Sequence, residues 1–305
     1  MEGYVANTDF DWYQFLHDRK FDEVNFWFPS ATQPLRRIKP GAPFFFKLKK
    51  PYYVVAGYGY FARSSVAPAW LAWESFGEKN GAPSLSAFLN RIEKYQPRPP
   101  NVLSGDQVVG CLMISDPVFF DRGDWVRQPE DWARQNVRGE YYDLSAGEGL
   151  RIYHECRARS GQLFEAPAVD MPDRYGDPVL VRPRLGQGIF RMAVMDAYSR
   201  ACAVTGEHSL PALEAIHIRP YSDQGTHDVS NGLLLRRDIH SLFDRGYVTV
   251  TPDHHFEVSV RLREEFENGR SYYPLSGQLI QLPVDDLEWP SPAQLKWHNE
   301  NVFRG

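Results

Sequence analysis

Three polar residues stand at the edges of apolar runs between positions 202 and 247: His217, Asn231 and His240. An imidazole titrates near neutrality, so a His fixed on a strand can take a proton from water. A second His on a facing helix can hold a cation that steadies a phosphate and its departing oxygen. An Asn between them can brace a loop through hydrogen bonds without adding charge. These are the parts that phosphodiester hydrolysis needs.

The elements that would position them can be read from the same stretch. Leu213, Ile216 and Ile218 form a short extended run, and Pro220 blocks further pairing. Residues 222–230 are polar and contain Gly225, which makes them a loop. Asn231-Gly232 is a turn dipeptide whose residues both tolerate positive φ. A strand over 233–235 and a helix over 238–243 follow, with Leu242 and Phe243 facing a core. Gly246 suits the position after a helix end. The order is strand, loop, strand, helix. Asp244 lies four residues past His240, so on that helix the two share a face. The chain has nine His, seven of them after residue 183. His208, His227, His254, His255 and His298 fall at no interpretable spacing and read as structural or solvated.

A length of 305 residues suggests two domains, each able to bury its own core. There is no long apolar run, hence no membrane span. No basic-then-apolar leader is present, hence no secretory signal. Cys111, Cys156 and Cys202 are odd in number and lack CxxC spacing, which argues against a zinc ribbon and a disulfide framework. That usage fits a reducing cytoplasm. The net charge is −5, from 34 basic and 39 acidic residues, which is unhelpful for binding phosphates. The stretch 24–73, however, has no Asp or Glu and holds Arg36, Arg37, Lys39, Lys47, Lys49, Lys50 and Arg63. It can form a local positive patch, with Arg36, Arg37 and Lys39 as candidate phosphate contacts. A solvated loop with charged strand ends is the competing reading.

The first half reads as mixed helix and strand. Residues 44–48 and 52–61 are aromatic strands, and the glycines at 57 and 59 suggest a bend or a bulge. Residues 67–76 and 84–95 read as helices, the second with Ser84 as N-cap. A strand over 108–114 and a helix over 147–159 follow. Residues 167–183 are rich in Pro, Asp and Gly and form a linker, after which a helix covers 188–203. Aromatic residues are 14% of the chain. Proteins that inspect a single base often extrude it and stack it on such side chains. Trp27, Pro29, Trp70, Trp73, Trp125, Tyr141 and Tyr142 are candidates, although most aromatics serve a core.

Three segments carry a resemblance: Arg184-Leu-Gly-Gln-Gly-Ile-Phe-Arg191, Cys202-Ala-Val-Thr-Gly206 and Leu295-Lys-Trp-His-Asn-Glu-Asn-Val-Phe303. With His217, Asn231 and His240 in order between the last two, the second half resembles the HNH endonucleases of ββα-metal fold. The resemblance implies His217 as general base, Asn231 as the residue that orients the active-site loop, and His240 as a metal ligand. Ile216 stands where many such enzymes place Asp or His as a second ligand. Glu214, Asp244 or water would then complete the shell around Mg, Mn, Co, Ni or Zn.

The first half resembles the EVE members of the PUA-like superfamily. The segments are Asn25-Phe-Trp-Phe-Pro29, Val54-Val-Ala-Gly-Tyr-Gly-Tyr-Phe61, Ala72-Trp-Glu-Ser-Phe-Gly-Glu-Lys-Asn-Gly81 and Gly139-Glu-Tyr-Tyr-Asp143. The implied fold class is α+β: a bent PUA-like β-barrel with helices over 1–160, a linker over 161–182 and the ββα-metal nuclease over 183–305. The implied pocket for a modified base is Trp27, Pro29, Trp73 and Tyr142, with Trp70 and Tyr141 as alternates. The expected activity is type IV-like restriction of double-stranded DNA bearing 5-methyl- or 5-hydroxymethylcytosine. Two such sites are needed for a double-strand break, from a homodimer or from two binding events. The rival readings are a reader of modified nucleic acid with a weak nuclease half, and an unspecific nuclease restrained by its first domain.

Overall fold

The structure is a computed structural model that describes residues 1–29, 35, 37–133, 135–161, 180–181 and 185–305. The chain divides into two compact units, Met1–Gly186 and Gln187–Gly305. The expected linker over 161–182 falls for the most part outside the described residues. Among these no helix is long and apolar enough to cross a membrane.

The first unit runs β1 (Glu2–Thr8), α1 (Phe10–His17), β2 (Glu23–Phe28), β3 (Pro43–Leu48), β4 (Val54–Pro68), α2 (Ala69–Phe76), α3 (Leu85–Tyr95), β5 (Val108–Phe119), β6 (Val126–Arg127), β7 (Gly139–Asp143) and α4 (Gly147–Arg159). Its strands form one sheet in the order β2-β5-β4-β3-β1-β7, with β6 paired to β4. β1 lies parallel to β3, and the other pairs are antiparallel. Strand alternation sorts the aromatic run of β3: Phe44 and Phe46 join Trp12, Phe26 and Phe61 in one cluster, while Phe45 joins Tyr58, Tyr60 and Tyr153 in another. Both faces are covered, which is why these strands read as unbroken apolar runs. The β4 register shifts between Tyr58 and Tyr60, so the bulge falls at the expected glycines. The Ser84 side chain accepts from the Ala87 amide and caps α3 as expected.

The second unit runs α5 (Gln187–Ala197), β8 (Leu213–His217), β9 (Gly232–Arg236), α6 (Arg237–Asp244), β10 (Val248–Val250), β11 (Phe256–Val258), α7 (Arg261–Phe266) and α8 (Pro292–Asn301). Eight of the eleven residues of α5 are buried, so this helix is a core element. It stops at Ala197, short of the expected 203, because Ser199 and Arg200 take positive φ. β8 and β9 pair antiparallel, with His217 opposite Gly232.

Gly232 does not use the positive φ anticipated for a turn: its φ is −123° and it opens β9. It is needed for space. A Cβ there would sit 2.5 Å from Val194 Cγ2 and 3.0 Å from the Phe190 ring of α5. The helix therefore lies against bare backbone. We expect Gly232→Ala to lower the stability of the second unit by about 1–3 kcal/mol, the usual cost of overpacking. Urea denaturation of the full chain checks this, and an unchanged transition would show that α5 yields freely.

Candidate active site

The β8–β9 hairpin and α6 bring the expected residues into one unit. His217 closes β8, Asn231 immediately precedes β9, and His240 lies in the middle of α6. α6 is strongly two-sided: Ile239 and Phe243 are buried, while His240 turns toward Glu214 of β8. The Cys202–Gly206 segment is a turn that docks on β9. Ala203 N–H donates to Leu234 O, and the buried Cys202 Sγ accepts from the Arg236 amide.

Asn231 is 1% exposed. Its Oδ1 accepts from Arg219 N–H at 3.0 Å, and its Nδ2 donates to Arg219 O and Thr226 O, both at 2.9 Å. The loop between the strands is thus tied at both ends by one side chain. Gly225 allows the tight fold, since a Cβ there would meet Arg219 O at 1.9 Å.

The His217 ring stacks on Phe190, with centroids 3.9 Å apart and planes 8° from parallel. Its Nε2 lies 2.9 Å from Nδ1 of His227. Burial, and then the neighbouring His227, push the His217 pKa down to about 4, so the ring is neutral at physiological pH. A neutral imidazole keeps the lone pair that a base requires.

His227 was not legible in the sequence. It lies in an irregular loop, and only closure of that loop brings it to His217. Tyr221 covers its other side, stacked at 5.0 Å and 8°.

His240 sits between two carboxylates. Its Nε2 is 3.1 Å from Asp244 Oδ2, and its Nδ1 is 2.6 Å from Glu214 Oε2. Asp244, and then Glu214, raise its pKa against the effect of burial. Arg237 Nε meets the second oxygen of Glu214 at 3.2 Å. These side chains supply the imidazole nitrogen and carboxylate oxygens that a divalent cation accepts, so the donor chemistry fits. As they stand they close on one another, and among the described residues no group of three His, Cys, Asp or Glu is arranged to hold a metal ion. Ile216 is buried in β8 opposite Leu233, part of the core.

In the first unit a cavity of about 400 Å³ is lined by Trp27, Phe28, Pro29, Tyr95, Asp9 and Arg91, among others. Asp9 accepts from Lys49 Nζ at 2.8 Å and from the Tyr95 hydroxyl at 2.7 Å. Two of the four expected pocket residues, Trp27 and Pro29, are on its wall. Trp73 and Tyr142 are not. Trp73 packs on Phe88, as does Trp27 from another side. Tyr142 points into the core with Val5 and Tyr153, and its hydroxyl donates to Asp131. Adjacent residues of a strand face opposite ways, so Tyr141 instead packs on the other cluster, beside Tyr4.

The basic stretch is also partly spent inside. Lys47 is 2% exposed and donates to Asn7 Oδ1, and burial pushes its pKa down to about 8. Arg37 pairs with Glu2 and lies over the Tyr141 ring. Lys39 is exposed, and Arg36 lies outside the described residues.

Residues 202–251 match the family model HNH_2, HNH endonuclease. The chain carries an HNH endonuclease domain. The match spans β8, β9 and α6. No curated protein matches the chain. Among solved structures it is similar to variants of an ASCH protein from Zymomonas mobilis. One is 14% identical over 50% of this chain and 96% of that one, at a TM-score of 0.32. Another is 11% identical over 50% and 94%, at 0.31. It is also similar to the modification-dependent TagI restriction endonuclease, at 13% identity over 92% of this chain and 75% of that one, with a TM-score of 0.28.

The nuclease unit holds a second depressed imidazole. His298 of α8 stacks on Phe243 at 3.7 Å and bonds to Thr249 Oγ1 and Phe243 O, and burial brings its pKa down to about 4. A His whose folded pKa lies below its unfolded value gives stability above the unfolded value, near 6.5, and loses it as pH falls toward 4. We therefore expect urea midpoints to drop between pH 6.5 and 4, and His298→Gln to make that dependence shallower. Parallel curves for the two proteins would remove His298 from the acid response.

Proposed function

We propose that the chain is a modification-dependent DNA endonuclease. The first unit would hold an extruded modified cytosine, and the second would hydrolyse a phosphodiester bond. The observation that carries the nuclease half is the arrangement of a neutral, stacked His217 beside a loop locked by Asn231, on the segment that matches the HNH endonucleases. His217 is the general base, taking the proton of the attacking water. Asn231 keeps the loop in place and so fixes where that water is met. His240, with Asp244 and Glu214, would hold a divalent cation. That cation would supply positive charge to the phosphate and the departing oxygen.

The cavity supports the reader half. Its volume suits a small planar ligand, and its wall offers the Trp27 and Tyr95 rings with Pro29 at the edge. A base stacked on one aromatic ring gains about 1–3 kcal/mol. The exposed Lys39, together with Arg36 and Arg37, would meet the DNA backbone. The three cysteines are free and buried, which suits a reducing cytoplasm. A double-strand break then needs a homodimer or two encounters.

A second reading rests on the closed His240 group: with both ring nitrogens engaged by carboxylates, the chain would be a reader with a weak nuclease half. One experiment separates the two. Duplexes with cytosine, 5-methylcytosine or 5-hydroxymethylcytosine are incubated with the intact chain and Mg²⁺ or Mn²⁺. Cutting is expected only of a modified duplex, and His217→Ala should lower it by about 10²–10⁴-fold. Trp27→Ala should reduce the preference for the modified duplex while leaving His217 chemistry intact. Equal cutting of all three would sink the modified-base reading. Binding without cutting in either metal would favour the reader.

A further inference from the structure

We propose that His227 is a positioning residue for His217: it accepts a hydrogen bond from Nε2–H of His217 and so leaves Nδ1 of that ring as the basic atom. The inference rests on the reading of His217 as general base.

The geometry allows two protonation patterns for one contact. His217 Nε2 and His227 Nδ1 are 2.9 Å apart, so one carries a proton and the other a lone pair. If His227 donated, the lone pair at His217 Nε2 would be consumed. The proton of the neutral ring would then sit on Nδ1, and no basic atom would face water. If His217 donates, its proton is at Nε2 and Nδ1 is free to accept. Among the described residues Nδ1 of His217 meets no hydrogen-bond partner, which leaves it for water. Only the second pattern makes the ring a base. Burial, and then the neighbouring His227, also disfavour a second proton on the His217 ring itself.

The contact is built, not incidental. Phe190 fixes the plane of the His217 ring from below at 3.9 Å. Tyr221 fixes the plane of His227 at 5.0 Å. Asn231 anchors the carbonyl of Thr226, the residue directly before His227. The loop therefore brings a defined ring atom to a defined ring atom, and the buried amide of Asn231 sets that geometry from the other side.

The test uses the full-length chain with ¹⁵N-labelled histidine, and reads the His217 tautomer by NMR. The expected state is Nε2–H. It should persist in His227→Asn, whose Oδ1 can accept in place of Nδ1, and be lost as a single state in His227→Leu. In parallel, Mn²⁺-supported cutting of a 5-hydroxymethylcytosine duplex is measured. His227→Leu should lower kcat by about 10²-fold with KM little changed, as for a misplaced catalytic group. His227→Asn should recover most of it, and His227→Lys, which can only donate, should not. An Nδ1–H tautomer in the unsubstituted chain overturns the proposal, with or without cutting. So does an unchanged kcat in His227→Leu alongside a dead His217→Ala, a result that would leave the base reading standing. Full activity of His217→Ala would instead remove the base reading, and this proposal with it.

Discussion

Asn231 is buried and spends both of its N–H groups and its carbonyl oxygen on the backbone of a single loop. Leaving such groups unpaired inside a protein costs about 1–3 kcal/mol each, so the loop closes with the amide satisfied or the hairpin does not close well at all. The rest of the nuclease unit depends on that constraint. It sets the ends of the chain between β8 and β9, brings Thr226 and hence His227 over the strand end, and holds the first residue of β9 against α5. Gly232 belongs to the same arrangement, since α5 can reach the hairpin only where no Cβ intervenes.

Electrostatics divides the site into two halves of opposite character. On the β8 side, burial and a neighbouring imidazole keep His217 uncharged. On the α6 side, Asp244 and Glu214 favour the charged form of His240. Two chemically identical side chains are thereby pushed in opposite directions within one hairpin-helix unit. A base needs the neutral ring that burial maintains at His217, whereas His240 must release its proton before either ring nitrogen can accept a cation. Arg237 balances the remaining carboxylate oxygen of Glu214, so the acidic side of the unit is not an unpaired cluster.

The first unit shows why a basic, aromatic stretch is a poor guide to a surface. β3 carries both the aromatic run and Lys47, and the sheet is covered on both faces, so alternation sends charge inward as well as rings. Lys47 keeps a hydrogen bond to Asn7 and a place over the Trp132 ring. The cavity is accordingly lined by residues from distant parts of the chain, among them Asp9, Trp27 and Tyr95.

The sequence by itself determined what is local. The strand-loop-strand-helix order over 213–244 was legible because each element is contiguous, apolar at its own period and bounded by Pro or Gly. The Ser84 cap and the bulge near Gly57 and Gly59 were legible for the same reason. Sharing of a helix face by His240 and Asp244 follows from the pitch of the helix alone. Only the tertiary structure decided what long-range closure creates. His227 meets His217 across a ten-residue separation that carries no periodic signal. β1 joins β3 in parallel, a pairing that no turn between them announces. Tyr142 and Tyr141 differ only in which face of β7 they take, and that register is set by pairing with β1. Short-range patterns are written in neighbouring residues. Register, loop closure and burial are properties of the assembled fold.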